Sequence, residues 1–366
     1  MIQLSAKREK SVVGLEIEAG SVAAVEVRGK GSTEPTKTAT APLPEGAFQD
    51  GEVVDPEAVS AVLRTLFAEH KLSKRVRLGI SNQRVVVRTM RLPAIDDRGE
   101  LDTAVRFQAQ EQIPMPLDQA ILDYRVVGGT EATEDASAKI DVILVAARRE
   151  MIEASLQPLR KAGLQPVGID LSAFGLIRAL GDVPAAAAGS PADGEDGEQI
   201  NASGATLYCN IGETTNLAVA KRRSCLFTRV APIGLGSIAT ELTERTELTA
   251  DHAHMWLGHV GLSQPLDQVA GDPAIVAATR EVLEAGVAAL QGELRLSLDF
   301  YAAQADAVPV EQVVLGGPGS AIPGFPEQIE AGFAVPFQVG RPQALGQFDA
   351  QAAARLTLSY GLALEA

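Results

Sequence analysis

Residues 207–219, LYCNIGETTNLAV, read as a strand, a tight turn and a second strand. Leu207, Cys209 and Ile211, then Leu217 and Val219, alternate with more polar positions, the period-two signature of a sheet. Gly212 stands where the chain must turn, and Thr214 and Thr215 offer hydroxyls and backbone N–H groups at the tip. Residues 13–27, VGLEIEAGSVAAVEV, repeat the pattern: strand, turn at Gly20-Ser21, strand. Two such hairpins, about two hundred residues apart, suggest two related half-domains. A turn from each can face a common cleft, and turn N–H groups cradle anions. Taken alone, each is also an ordinary hairpin.

The 366 residues suffice for several sub-domains with real cores. A 46% apolar and 22% charged composition is that of a soluble globular protein. No apolar run reaches the roughly 20 residues that span a bilayer. The N-terminal stretch runs straight into a strand carrying Glu16 and Glu18, which is unlike a signal peptide. Two cysteines, Cys209 and Cys225, fit a reducing compartment and carry no metal-ligand spacing. A net charge of −15 argues against nucleic acid and leaves room for a basic peptide partner.

Residues 29–46 read as a soft connector, and 55–70 as a helix capped by Asp55 with Pro56 in its first turn. Strands are predicted at 76–80, 85–92, 121–127, 140–146, 167–170, 225–232 and 313–315. Helices are predicted at 100–113, 150–162 and 172–180, after the IGLGS turn at 233–237, and at 274–305. Residues 352–364 read as helical, interrupted by Gly361. Residues 181–204 form an acidic Ala/Gly/Pro-rich loop, expected to be mobile and to mark the border between the halves.

This order of elements resembles the actin/Hsp70-like ATPase fold, an α/β fold of two lobes. Within that fold it resembles the PilM family of type IV pilus assembly proteins. The resemblance rests on VVGLEIEAGSVAAVEV, ELDTAVRFQAQEQIPMPLDQAILDYRVV (100–127) and DVILVAARREMIEASLQPLRKAGLQPVGIDLSAFGLIRAL (141–180). It continues in CNIGETT, GELRLSLDFYAAQ (292–304) and VVLGGPGSAIPGF. Gln112-Ile113-Pro114-Met115-Pro116, ahead of a strand bearing Asp123-Tyr124, is its most telling segment. In architecture the cell-division protein FtsA is similar, with an inserted sub-domain of the same type.

The resemblance implies a first core sub-domain from 1–83, 165–204 and 340–366, with an insert at 84–164. A second core sub-domain comes from 205–235 and 306–339, and a fourth sub-domain from 236–305. It implies a cytoplasmic scaffold, reaching the membrane's inner face only through partners. The partner would be the short N-terminal tail of a bitopic PilN-like membrane protein, tied in turn to the pilus assembly motor. The tail would enter between the insert and the first core sub-domain, with Phe107, Met115 and Leu117 lining the groove. Core packing is the other reading of Phe107, whereas Met115 and Leu117 flank Pro116 and are not expected to reach the core together.

ATP with Mg²⁺, where retained, would lie between the halves. The first loop would offer Glu16, Glu18, Ala19, Gly20 and Ser21, and the second Asn210, Gly212, Glu213, Thr214 and Thr215. Gly234, Gly236 and Asp170 would flank them, and Gly316, Gly317, Pro318 and Gly319 would form the adenosine turn. The loops depart from the family pattern. Glu16 replaces the usual Asp, Glu18 a glycine, and Asn210 a second Asp, while Leu257 takes the place of a ribose-binding Lys. A carboxylate about 4 Å from a phosphate charge costs roughly 4 kcal/mol at an effective dielectric of about 20. That removes roughly three decades of affinity. The expectation is weak or absent ATP binding with negligible turnover.

Three histidines, His252, His254 and His259, cluster near Trp256; the first two point to different sides of a helix, so rim positions are expected and no metal. Asp170 reads as a general base or as a cap for the helix at Ser172. Cys209 reads as core, and Gln108, Gln110 and Gln112 as facing solvent or a partner. The alternatives to a pilus scaffold are an active actin-fold ATPase, an FtsA-like filament protein and a type II secretion scaffold.

Overall fold

A computed structural model describes residues 11–29, 31–130, 137–181, 204–304 and 306–365. Most of the acidic loop, 182–203, lies outside them.

The chain opens with β1 (Val12–Glu18), β2 (Ser21–Val27) and β3 (Pro35–Pro42). A two-residue hairpin, β4 (Phe48–Gln49) and β5 (Glu52–Val53), leads to α1 (Pro56–Glu69) and β6 (Arg75–Ile80). Asp55 caps α1, accepting the N–H groups of Glu57 and Ala58 at 2.9 and 3.0 Å. Next come β7 (Val86–Pro93), α2 (Arg98–Gln112), β8 (Ala120–Thr130) and β9 (Lys139–Arg148). The first half closes with α3 (Arg149–Lys161), β10 (Gln165–Leu171) and α4 (Ser172–Leu180).

The second half opens with β11 (Ala205–Ile211), β12 (Thr215–Lys221) and β13 (Ser224–Ala231). Helices α5 (Leu235–Arg245), α6 (Ala250–Val260) and α7 (Pro273–Ala302) follow. It ends with β14 (Val310–Gly316), α8 (Phe325–Glu330) and β15 (Phe337–Val339); α9 (Ala350–Ala363) then returns to the first half.

The internal duplication read from the two hairpins is carried by whole sheets. One has the strand order β10-β6-β1-β2-β3, the other β15-β14-β11-β12-β13. In each, a hairpin lies beside a third antiparallel strand on one side and parallel strands on the other. Both faces of such a sheet are covered, which is why β1 and β12 are buried almost throughout rather than alternating.

Three expectations change. The connector at 29–46 contains β3, which pairs with β2 along its length. Its Thr36, Thr38 and Thr40 supply β-branched residues at alternate positions, and its prolines sit at the ends of an edge strand. The insert, read as 84–164, forms a separate sheet, β7-β9-β8, that closes at Arg148. Helix α3 packs instead on α1 and β10, and Leu159 and Leu164 join the first core. Finally, α9 runs unbroken through Gly361, whose role is close packing and not interruption.

Candidate functional site

The two hairpin turns and the glycine turn after β14 meet between the halves. Glu16, Glu18, Ser21 and Ala23 face Asn210, Pro318, Ala354 and Arg355 around one small cavity. Its free volume is about 10 Å³, room for one water. Ligand pockets ordinarily run to about 300–1,000 Å³.

The cavity is small because the protein fills it. The Glu18 carboxylate leaves the first turn and accepts the backbone N–H of Glu213 in the second. A Cβ on Gly212 would lie 2.5 Å from Glu18 Oε1, so only glycine admits that carboxylate. The remaining loop groups are also engaged. Leu235 and Gly236, at the start of α5, donate to the carbonyls of Gly212 and Glu213 at 2.8 and 3.2 Å. Thr215 is buried, and its hydroxyl donates to Ile233 O at 2.7 Å. Gly317, at φ 77°, is in the left-handed region and lies against Asn210 Oδ1, where a Cβ would come within 2.8 Å. Asn210 is 2% exposed, and its Oδ1 has no hydrogen-bond partner among the described residues.

Burial and the neighbouring Glu18 hold the Glu16 carboxyl well above its ordinary range, with Arg355 opposing. Burial pushes Glu18 up to about 7, and the charge of Glu213 adds to it. The Glu213 N–H, Arg355 and His254 pull it part of the way back.

The structure revises Glu213 and His254 together. Glu213 turns from the cleft to His254, with Nε2 and Oε1 2.8 Å apart. The other ring nitrogen, Nδ1, is 2.9 Å from Ala250 O and can only donate there. With Nδ1 donating to Ala250 O and Nε2 beside the Glu213 carboxylate, the surroundings favour the charged ring. Burial lowers its pKa, but the hydrogen bond and charge of Glu213 outweigh this, so the pKa sits above 6.5. Leu257, aligned with the ribose-binding Lys, is 1% exposed within the second core and does not reach the cleft.

Other residues separate from the site. Asp170 pairs with Arg178 and takes the N–H of Leu171 at 2.9 Å, so it neither faces the small cavity nor caps α4. Gly20 and Ala19 form the tip of the first turn, with nothing near Gly20. Thr214 is half-buried in the second turn, its carbonyl accepting from Gly212 N at 3.1 Å. Gly234 packs on the Gly212 and Glu213 carbonyls, Gly236 beside the Glu213 carboxylate. Gly316 packs near Leu180, and Gly319 on Ile211. Burial pushes the Cys209 thiol up to about 12, as befits a core residue. His252 is exposed, and His259 contacts Ala270 O and the edge of Trp256. Among the described residues no group of three or more His, Cys, Asp or Glu side chains is placed to hold a metal.

Sequence reasoning missed Arg355. Its signal was available: it is the one charged residue in the 350–363 helix, AQAAARLTLSYGLA.

The insert also differs from expectation. Phe107 is 66% exposed, because Leu101, Val105 and Ala109 form the buried face of α2. Met115 and Leu117 both pack on the insert's core, against the expectation that Pro116 would keep them from doing so. Residues 86 and 87 point to opposite faces of the sheet: Val86 packs under α2, Val87 towards the core sub-domains. A cavity of about 290 Å³ opens on the Val87 side, between the insert and both core sheets. Phe107, Met115 and Leu117 therefore do not line it.

No helix among the described residues is long and apolar enough to cross a membrane. In comparisons with known proteins, the chain resembles a solved PilM–PilN type IV pilus biogenesis complex at 25% identity and TM-score 0.74, over 96% of this chain and 97% of that one. The ethanolamine utilization protein EutJ from Carboxydothermus hydrogenoformans matches at 16% identity and TM-score 0.53, covering 96% and 88%. MreB5 of Spiroplasma citri, solved bound to ADP, matches at 13% identity and TM-score 0.51, covering 96% and 94%. These likenesses give the fold as actin-like. The family of the type IV pilus assembly protein PilM matches residues 14–365, and the chain belongs to that family.

Proposed function

We propose that this protein is a scaffold of the type IV pilus assembly machinery, acting at the inner face of the cytoplasmic membrane. It binds the cytoplasmic N-terminal tail of a PilN-like protein and connects it to the assembly motor. The observation carrying this reading is the 25% identical PilM–PilN complex, matched over nearly the whole chain. The acidic balance, −15, suits a tail carrying Lys or Arg. We place the tail in the 290 Å³ cavity, because it lies between the insert and the first core sheet. Pull-down with a tail peptide tests this. Phe107→Asp, on the far side of the insert sheet, is expected to bind the peptide within about twofold of wild type. Loss of binding in that variant would move the dock to α2. Leu117→Asp is a poorer probe, because Leu117 packs on the insert's core and its loss destabilises the sheet.

The same reading holds that the cleft between the lobes has given up ATP and Mg²⁺. Its residues fit that group poorly: Glu18 occupies a loop amide a phosphate would use, Asn210 brings no charge for a metal, and the free space is only about 10 Å³. Calorimetry is expected to give no ATP binding at micromolar concentration, and phosphate release should stay at background. Micromolar affinity in the wild type would overturn this. The double variant Glu18→Gly with Asn210→Asp is expected to gain measurable binding, since it vacates the amide and restores an acid.

A further inference from the structure

Strand β8 is an outer strand of the insert sheet, paired along one side with β9 and, among the described residues, with no other strand. Helix α2 lies over β7 and β9, where Leu101 and Val105 share a core with Met90, Leu92 and Leu144, and does not run along the open side of β8.

Two hydrogen bonds fix which backbone groups face outward. At the start of the ladder with β9, the Arg149 N–H donates to Gln119 O at 2.9 Å. Antiparallel pairs alternate, so residues 121, 123 and 125 turn their backbone groups to β9, and 122, 124 and 126 turn theirs outward. Tyr124 agrees: its N–H donates to the side chain of its own neighbour, Asp123 Oδ1, at 2.9 Å. The register with β9 is regular from Ala120 to Val126 and slips at the next residue. Leu122–Val126 is therefore a straight edge that presents backbone N–H and C=O groups to a further strand.

Proteins commonly guard such an edge with charge of one sign, lysine above all. Here the charges are of opposite sign and flank Tyr124 symmetrically: Asp123 and Arg125, both exposed. Arg125 makes no hydrogen bond or ion pair among the described residues. Turned antiparallel on itself about Tyr124, the segment sets Asp123 of one copy opposite Arg125 of the other, twice, in the pairs where side chains come closest. Leu122 then lies beside Val126, which is 43% exposed in the single chain. Sliding the pairing to either neighbouring register sets Asp123 against Asp123 or Arg125 against Arg125, so one register is selected. A different partner strand would need no such symmetry in this one.

We propose that two copies of this protein associate through the β8 edges of their inserts, antiparallel about a twofold axis at Tyr124, joining two three-stranded sheets into one continuous sheet. The contact is isologous, with the same segment on both sides. So short an edge makes a small interface, which gives a weak, reversible pair. The inference stands on the edge of the single chain and holds whether or not the tail-binding reading does.

Sedimentation equilibrium of the whole protein over a micromolar concentration series tests it. Wild type is expected to show a reversible monomer–dimer equilibrium. Asp123→Arg and Arg125→Asp are each expected to weaken it by at least about tenfold, because like charges then face each other. An equimolar mixture of the two variants is expected to regain the wild-type association, since a doubly basic edge then meets a doubly acidic one. In wild-type protein, amide exchange at Leu122, Tyr124 and Val126 is expected to slow as concentration rises, a readout that needs no variant to fold. A wild type that stays monomeric, a single variant that associates as wild type does, a mixture that stays monomeric, or exchange independent of concentration overturns the proposal.

Discussion

Glu18→Gln melts roughly 5 °C higher than wild type at pH 8 and shows a shallower fall of stability with pH between 5 and 8. The cause is the carboxylate held against the second loop. In the folded protein Glu18 titrates at about 7, against an ordinary value of 4.5. Between those values the folded protein holds a proton that the unfolded chain has released. Stability is therefore full below 4.5 and falls as the pH rises through 7. The difference of about 2.5 units corresponds to about 3 kcal/mol. His254 acts in the same direction. When protonated, its ring pairs with Glu213, so its contribution is present below 6.5 and lost as the pH rises through its raised pKa. Glutamine keeps the acceptor for the Glu213 N–H and cannot ionise. Thermal melting across pH decides the matter: a variant with the wild-type slope would show that Glu18 is not the group responsible.

Gly361→Ala is expected to cost at least about 3 kcal/mol, and Gly361→Val to prevent folding. On an ordinary helix the alanine change would gain about 1 kcal/mol. Here α9 and α4 cross backbone to backbone: a Cβ on Gly361 would stand 1.9 Å from Gly175 O. Neither partner is a flexible side chain, so relief requires the helices to part. Parting them would break the contact of Arg178 Nε with Gly361 O at 3.0 Å and would shift Leu362 O from Arg77 Nη1, at 2.8 Å. It would also uncover Leu356, Leu358 and Leu362, all buried in the core shared with α4. The midpoint of urea unfolding reads the loss. A Gly361→Ala variant as stable as wild type would mean that the crossing is looser than these distances.

Much of this fold was legible from local patterns. The two hairpins, the capped α1 and the long apolar stripe of α7 announce themselves within a few residues. The β3 strand was hidden because Thr, Lys and Pro look like linker residues until β2 supplies a partner. In the cleft, the loop residues were found because glycines and acids stand out in sequence. Their partners were not. Arg355 and His254 lie about 340 and 240 residues from the first hairpin, and no spacing rule links them to it. Met115 and Leu117 show the converse error. A proline between them suggested a rigid segment leaving the core, yet both side chains pack back onto it.

The close approach of α9 to β1 bears on how the protein is made. A Cβ on Gly14 would meet Ser359 O at 2.0 Å, so the first strand and the last helix are fitted against each other. The ribosome delivers them about 330 residues apart, an interval of roughly 15–60 s at ordinary elongation rates. Through that interval the β1–β2 hairpin exists as nascent chain without the helix that covers it. The first lobe cannot complete its fold in the order in which it is translated.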